Sequence, residues 1–193
     1  MVFQLLKADL ARQFVLAGSP GYISIVQVLL RIFHPRFFPI VLIRFAHTAS
    51  NRGIPLMPQI LGYINIVLFG LDVAPKCEIG PGLFLPHTSG TVIGAWRIGR
   101  NVTIFQNVTL GAREPDMGWN IQLRPELGDN VTLGAGSKIL GGIYLAQNVT
   151  VGANAVVLQS IEPFSTAVGI PARVVRINDI DTAIPSKENS CST

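Results

Sequence analysis

The sequence predicts a mainly β fold, a parallel β-helix of hexapeptide repeats with a short helical cap at its N-terminus. The first observation is an aliphatic residue at every sixth position from residue 73 onward, a spacing typical of neither a helix nor an alternating strand. The second is a self-match between the segments that begin at 127 and 145, a shift of 18 residues or one coil of three hexapeptides. The third is a helical pattern in residues 1–72.

The predicted cap is apolar and basic. Its apolar segments at 22–33, 37–47 and 54–71 are separated by Pro, Gly and Asn and predict helices. The cap carries six Lys and Arg against two Asp, an excess equal to the +4 charge of the whole chain. Residues 54–71 are uncharged, but two prolines, a glycine and an asparagine weaken a membrane-spanning helix. Three interpretations stay open, in this order: a cap packed on its own oligomer, a helix at a membrane surface, and a transmembrane helix.

Residues 73–177 form the predicted β-helix, and the polar residues 178–193 form a tail. The sixth-position residues are expected to point into the coil: Val73, Ile79, Leu85, Ile98, Ile104, Leu110, Leu127, Leu133, Ile139, Leu145, Val151 and Val157. Asn-Val-Thr recurs at 101, 107, 130 and 148, and these spacings of 6 and 18 residues predict coil corners rather than glycosylation sites. Eleven extra residues interrupt the repeat within 112–126, which we expect to project as a loop, called here the ejected loop.

Composition excludes several classes of function. Two cysteines, Cys77 and Cys191, provide neither a disulfide framework nor a zinc spacing, and they indicate free thiols in a reducing cytoplasm. No basic run with interleaved aromatic residues occurs, so nucleic acid is not an expected partner. Charges interrupt the N-terminal apolar stretch and no small-residue cleavage site follows, so we expect no secretory signal. The predicted location is cytoplasmic.

His87 is the histidine of the repeat region, and its position favours proton transfer. Leu85 points into the core by its phase, so His87, two positions on, is expected near the outer surface rather than buried. A metal ligand is disfavoured because the other histidines lie in the cap and no metal-binding partners accompany His87. A solvated histidine without a role stays open. An imidazole titrates near neutral pH and can accept a hydroxyl proton, so a general base is the stronger hypothesis.

Residues from about 44 to 173 resemble the hexapeptide-repeat acyltransferases of the serine acetyltransferase type. The matching segments are "IRFAH" (43–47), "VAPKCEIGPGLFLPHTSGTVIG" (73–94), "NVTIFQNVTLGA" (101–112), "LGAGSKILGGI" (133–143), "VGANAVV" (151–157) and "VGIPARVV" (168–175). The resemblance implies a left-handed β-helix, a homotrimer, and acetyl-CoA as co-substrate in a groove between neighbouring helices. It implies no metal.

The resemblance also implies roles for individual residues. His87 matches the family's catalytic base, and the backbone near Gly111 or Ala112 is our candidate for the oxyanion donor. Ala112 is also a predicted cofactor contact. Ala135 and Ala153 match positions whose backbone contacts the pantetheine arm, and Lys138 and Arg173 are candidate partners for the CoA phosphates. In the ejected loop, Trp119, Asn120 and Arg124 are candidate substrate-binding residues, although Trp119 could equally anchor the loop.

The chain departs from the serine acetyltransferase pattern at three places. Pro86 replaces an Asp before the base, Leu123 and Arg124 replace an Arg-His pair, and the long acidic N-terminal domain is reduced to the cap. Since these groups would hold an amino acid, we expect a sugar acceptor instead, as in capsule and colanic-acid O-acetyltransferases, which the chain also resembles. That expectation includes peripheral membrane contact through residues 1–72. Serine O-acetylation is the alternative. Glu114, Asp116 or a backbone carbonyl is expected to orient the imidazole.

Overall fold

The computed structural model describes residues 2–116 and 118–177. The predicted tail, 178–193, lies outside the described residues. The chain begins with four helices and continues into stacked β-coils, which confirms the predicted fold class. The helices are α1 (Val2–Leu16), α2 (Ile25–Arg31), α3 (Phe38–Asn51) and α4 (Met57–Phe69).

Local sequence signals determine where the cap helices begin and end. Ser24 caps α2: its hydroxyl accepts the Gln27 N–H, and the Gln27 side chain accepts the Ser24 N–H, a reciprocal capping box. Proline lies in the first turn of both α3 and α4, where its missing N–H costs no intrahelical bond. Gly70 ends α4 in the left-handed conformation, with φ at 61°. Among the described residues, none of the helices is long and apolar enough to cross a membrane.

The coils form a three-sided prism. Each coil adds one parallel strand to each of three sheets. Sheet 1 has the order β1-β3-β6-β9-β12, sheet 2 the order β10-β7-β4-β2, and sheet 3 the order β14-β13-β11-β8-β5. The strands are β1 (Leu71–Val73), β2 (Glu78–Ile79), β3 (Thr91–Ile93), β4 (Arg97–Ile98), β5 (Thr103–Ile104), β6 (Thr109–Gly111), β7 (Glu126–Leu127), β8 (Thr132–Leu133), β9 (Lys138–Leu140), β10 (Tyr144–Leu145), β11 (Thr150–Val151), β12 (Val156–Val157), β13 (Ser165–Gly169) and β14 (Ala172–Ile177).

The six-residue period fills the interior of the prism. Every predicted inward residue from Leu85 to Val157 is at most 2% exposed, while Val73 and Ile79, in the first coil, are half-buried. The four repeated asparagines occupy corners in the left-handed conformation, with φ of 55° at Asn101, 59° at Asn107, 58° at Asn130 and 59° at Asn148. Asparagine tolerates this conformation better than other side chains, which explains why it recurs in the repeat.

Two columns of corners border sheet 1 and organise the site. The His87 edge is the column through which the chain enters sheet 1, at residues 86–90, 105–108, 134–137 and 152–155. The loop edge is the column through which the chain leaves sheet 1, at 94–96, 112–125 and 141–143. The ejected loop is therefore one residue shorter than predicted, because Glu126 already pairs in β7.

The last coil ends differently from the repeat. β13 pairs in parallel with β11, but β14 turns back antiparallel to β13, so that Val168 lies opposite Arg173. The hexapeptide period does not predict this hairpin. The hairpin forms the outer edge of sheet 3, where β13 separates Arg173 from β11. A Cβ at Gly152 would overlap the Val168 side chain.

A buried ion pair fastens the cap to the first coil. The Asp9 carboxylate of α1 is fully buried and accepts the Arg44 guanidinium of α3 at 2.8 Å. It also accepts the backbone N–H groups of Gly82 and Leu83, each at 2.9 Å. Burial raises the pKa of the Asp9 carboxyl, and Arg44 and these N–H groups oppose that rise. One carboxylate therefore joins two helices to the segment that leads to His87.

Candidate active site

His87 lies on the outer wall of the prism, as its phase predicts. Leu85 is 1% exposed in the core, whereas the His87 side chain is exposed. His87 lies in the first corner of the His87 edge, four residues before β3. Among the described residues, its imidazole has no hydrogen-bond partner within the same chain. A nitrogen in this position is accessible to an incoming hydroxyl.

The corner that carries His87 is held rigidly by its neighbours. The Thr88 hydroxyl donates to the Phe69 carbonyl at 2.9 Å, and the Gly90 N–H donates to the Gly70 carbonyl at 2.9 Å. Gly90 has φ at 71°, and a Cβ there would overlap the Asn107 side chain of the next coil. Only glycine satisfies both conditions, so close packing fixes the backbone beneath the imidazole.

Four of the five predicted cofactor residues follow His87 along the same edge, while the fifth, Ala112, lies on the loop edge. Ser89 accepts the Asn107 N–H, Gln106 accepts the Gly136 N–H, and Ala135 accepts the Asn154 N–H, so the corners stack coil upon coil. Ala135 is therefore two coils and Ala153 three coils from His87, or roughly 10 and 14 Å at the spacing of neighbouring strands. Lys138 lies on the same edge, where its ammonium donates to the Asn107 carbonyl. Arg173 lies at the far end, in β14.

Gly111 and Ala112 lie on the loop edge, across sheet 1 from His87. Gly111 ends β6 level with Leu140, and its carbonyl accepts the Gly141 N–H at 2.9 Å. A Cβ at Gly111 would meet nothing within 4 Å, so open space adjoins the predicted oxyanion donor. The width of sheet 1, at least three residues or roughly 10 Å, separates the two edges. A single chain does not bring His87 and Gly111 together.

Arg124 fastens the ejected loop. Its guanidinium pairs with the Asp116 carboxylate at 2.8 Å, donates to the Gly94 carbonyl at 3.0 Å, and stacks over the Trp119 ring at 4.0 Å. Trp119 packs partly buried against the core, so it does anchor the loop. The Asn120 amide oxygen accepts the Gln122 N–H and caps the 3₁₀ turn Ile121–Leu123. Contact of these residues with a substrate stays a prediction.

The ion pair with Arg124 changes the pKa of Asp116. Burial favours a higher pKa for Asp116, but the hydrogen bond and charge of Arg124, together with the N–H groups of Asn120 and Gly118, lower the pKa of this carboxyl. Within one chain Asp116 therefore lies on the loop edge, across sheet 1 from His87, and its role in orienting the imidazole stays a prediction. Glu114 is exposed in the same loop.

Asp72 is an exposed carboxylate that the sequence analysis did not single out. It lies on β1, level with Val92 of β3, and Gly70, two residues earlier, accepts the Gly90 N–H. Leu71 is buried, so Asp72 faces the outer wall as His87 does. The signal available in the sequence was an acidic residue between two apolar ones just before the repeats begin.

Comparison with known proteins extends these observations. Residues 124–159 match the family described as bacterial transferase hexapeptide (six repeats). A serine acetyltransferase of Synechococcus elongatus is 34% identical over 97% of this chain and 77% of its own length. The chain belongs to the serine acetyltransferase family. A serine acetyltransferase of Staphylococcus aureus is 42% identical over 68% of the chain, which spans 61% of that relative.

Solved serine acetyltransferases share the fold. The Neisseria gonorrhoeae enzyme superposes with a TM-score of 0.78 at 29% identity, over 91% of this chain and 66% of that one. Since the coils make up little more than half of the chain, this match includes the cap. A serine acetyltransferase in complex with CoA superposes with a TM-score of 0.73 at 27% identity, over 90% of this chain and 69% of that one. The left-handed β-helix and the acyltransferase class are confirmed.

The expected sugar acceptor is wrong. The relatives are named serine acetyltransferases, and none of those compared points to capsule or colanic-acid synthesis. The prediction of a sugar acceptor rested on side chains of the family that this chain lacks. Pro86 stands in place of an Asp, and Leu123 and Arg124 stand in place of an Arg-His pair. Missing groups do not identify what replaces them, and Arg124 has a structural partner in Asp116. Resemblance over nearly the whole chain, cap included, outweighs three local departures.

Proposed function

We propose that this protein transfers the acetyl group of acetyl-CoA to the hydroxyl of serine, with His87 as general base. The observation that carries the proposal is the His87 edge. An exposed imidazole at a rigid corner is followed, coil by coil, by two alanines and two cations. Family membership supplies the acceptor, because the relatives that match the whole chain and the cap are serine acetyltransferases.

The chemistry requires one proton acceptor. His87 removes the proton of the serine hydroxyl as its oxygen attacks the thioester carbonyl. The tetrahedral oxyanion then collapses, the C–S bond breaks, and the imidazolium returns the proton to the CoA sulfur. No metal enters this scheme, and the residues described contain no cluster of three metal-ligating side chains.

The His87 edge fits an extended thioester arm. Small side chains at Ala135 and Ala153 leave the backbone accessible, and backbone N–H and C=O groups can pair with the amides of a pantetheine arm. Lys138 lies beside this path, and Arg173 lies at its far end, opposite Val168. Both cations are suited to the phosphates of CoA. These features support the His87 edge as the path of acetyl-CoA.

We further propose a homotrimer whose sites lie between subunits. His87 and Gly111 lie on opposite edges of sheet 1, so an oxyanion donor near the base has to come from the loop edge of a neighbouring copy. Trp119 and Arg124 also lie on the loop edge, so any contact they make with a substrate at His87 has to come from a neighbouring copy as well. Peripheral membrane contact through residues 1–72 is a separate proposal that the compared relatives do not support.

An assay of CoA release tests the reaction. With serine and acetyl-CoA, we expect turnover that depends on serine and falls on the order of a hundredfold or more in His87→Ala, the usual loss for a general base. The matched control is Gln147→Ala, an exposed side chain at a corner away from the His87 edge, which should leave turnover unchanged. CoA release that does not depend on serine would exclude serine as the acceptor. Full turnover in His87→Ala would exclude His87 as the general base.

Mixing two inactive variants tests the shared site. His87→Ala damages the His87 edge, and Arg124→Ala releases the ejected loop of the other edge. If each site takes one edge from each of two subunits, co-expressed variants regain part of the lost activity, because some interfaces contain both intact edges. Absence of recovery in mixed trimers would place the whole site within one chain.

A further inference from the structure

A basic cavity lies between the cap and the coil, outside the proposed transferase chemistry. It has a volume of about 440 Å³, is open to solvent, and is bordered by α1, the end of α2 with the segment after it, and Phe84 of the coil. Arg31, His34 and Arg36 line it together with Phe14 and Ser19. No carboxylate is among the residues that line this cavity.

The two arginines of the cavity have no carboxylate partner among the described residues, in contrast to Arg44 and Arg124. Arg44 and Arg124 each bond a carboxylate at 2.8 Å. Within residues 2–116 and 118–177, neither Arg31 nor Arg36 forms an ion pair. Arg31 instead lies over the Phe14 ring, 4.8 Å from its centroid. Like charges gathered in one concavity repel one another, and a bound anion removes that repulsion.

His34 adds a further donor to the cavity. Its Nδ1 accepts the Arg36 backbone N–H at 3.3 Å, which leaves Nε2 as the ring nitrogen that carries hydrogen. A helix-stabilising role explains part of the cluster, since Arg31 lies in the last turn of α2, where a cation favours the helix dipole. Arg36 and His34 lie beyond that helix, so the dipole does not account for them.

We infer that this cavity binds a phosphate group. Two guanidinium forks suit the geometry of phosphate oxygens, and Ser19 and His34 supply further donors. The aromatic rings of Phe14 and Phe84 provide an apolar wall for the organic part of a phosphate ester. This site is independent of the proposed acetyl transfer.

The phosphate has two chemical sources that the surroundings allow. A soluble phosphate ester fits the volume of the cavity. A phospholipid headgroup fits the neighbouring surface, because three apolar side chains in and just after α2 are exposed: Leu29 by 51%, Leu30 by 81% and Phe33 by 80%. Apolar side chains beside unpaired cations are typical of surfaces that meet anionic lipid.

Binding measurements with the full chain distinguish these sources. Inorganic phosphate is titrated calorimetrically, and sedimentation is measured with phosphatidylcholine vesicles with and without phosphatidylglycerol. Arg36→Gln should weaken whichever binding occurs by about tenfold or more, since a charged hydrogen bond is lost. Arg52→Gln removes another exposed cap cation, which lies outside the cavity, and should retain the binding. Unfolding curves verify that both variants fold.

Each outcome decides the inference. Saturable phosphate binding that Arg36→Gln alone weakens supports a soluble ligand. Binding only to the anionic vesicles, again weakened by Arg36→Gln alone, supports a lipid headgroup. If both variants weaken binding equally, the binding is general charge attraction and the proposed site is wrong. The proposed site is also wrong if neither phosphate nor anionic vesicles bind. None of these measurements depends on acetyl transfer, so they test the phosphate site even if the proposed acetyltransferase function is wrong.

Discussion

Removing the Asp9 carboxylate should destabilise the protein severely. In Asp9→Ala, the Arg44 guanidinium, whose side chain is 3% exposed, loses the partner it contacts at 2.8 Å. The N–H groups of Gly82 and Leu83 lose their acceptor as well. Removing one member of a buried ion pair leaves the other charge unpaired and lowers the free energy of unfolding by about 3–5 kcal/mol. This is a large part of the roughly 5–15 kcal/mol by which a typical domain is stable.

Urea unfolding at one protein concentration measures this cost, since oligomers unfold in a concentration-dependent way. Glu162→Gln, an exposed carboxylate without a partner among the described residues, is the control and should change the free energy of unfolding by no more than about 0.5 kcal/mol. The double variant Asp9→Leu with Arg44→Met should lose less than the sum of its single changes, because it leaves no unpaired charge. A cost for Asp9→Ala as small as that of the control would refute the buried-pair argument.

Three further predictions concern single groups. Asp72→Asn should lower kcat more than it raises KM and shift the acidic limb of the pH profile downward, if that carboxylate supports the imidazolium of His87; an unchanged profile would exclude it. Burial raises the pKa of the Cys77 thiol to about 12, so in a Cys191→Ser background thiol reagents at neutral pH should label Cys77 only after unfolding. The Arg124 ion pair lowers the pKa of Asp116 below the ordinary carboxyl value. The pair therefore stabilises the ejected loop fully above that ordinary pKa, and this stabilisation is lost as the pH falls through the lowered pKa. Pepsin should therefore cut the ejected loop only below about pH 3.9, and cutting at higher pH would contradict that.

The repeat region was predictable because its constraint is local and periodic. An inward aliphatic residue every six positions and an asparagine at the corners are demands that each coil makes on its own residues. The outward position of His87 followed from the same count. The hairpin β13–β14 was not predictable in this way, since it ends the repeat and follows no period.

The candidate site was only partly predictable. Ala135, Ala153, Lys138 and Arg173 follow His87 along one edge, an alignment that only the structure shows, and their contact with a cofactor stays a prediction. The function of the ejected loop was harder to read, because the Arg124–Asp116 pair depends on how the loop folds back. The acceptor was predicted wrongly from missing groups, which carry less information than the groups present.

By itself the sequence determined the prism, its corners and the outward imidazole, because short-range spacing decides which side chains can be buried in a coil. The tertiary structure alone decided which corners stack upon one another, which edge of sheet 1 each candidate residue occupies, and that Asp9 meets Arg44, 35 positions away. Those relations depend on how strands from distant parts of the chain come into register and on which buried charges find partners, and no local pattern records either.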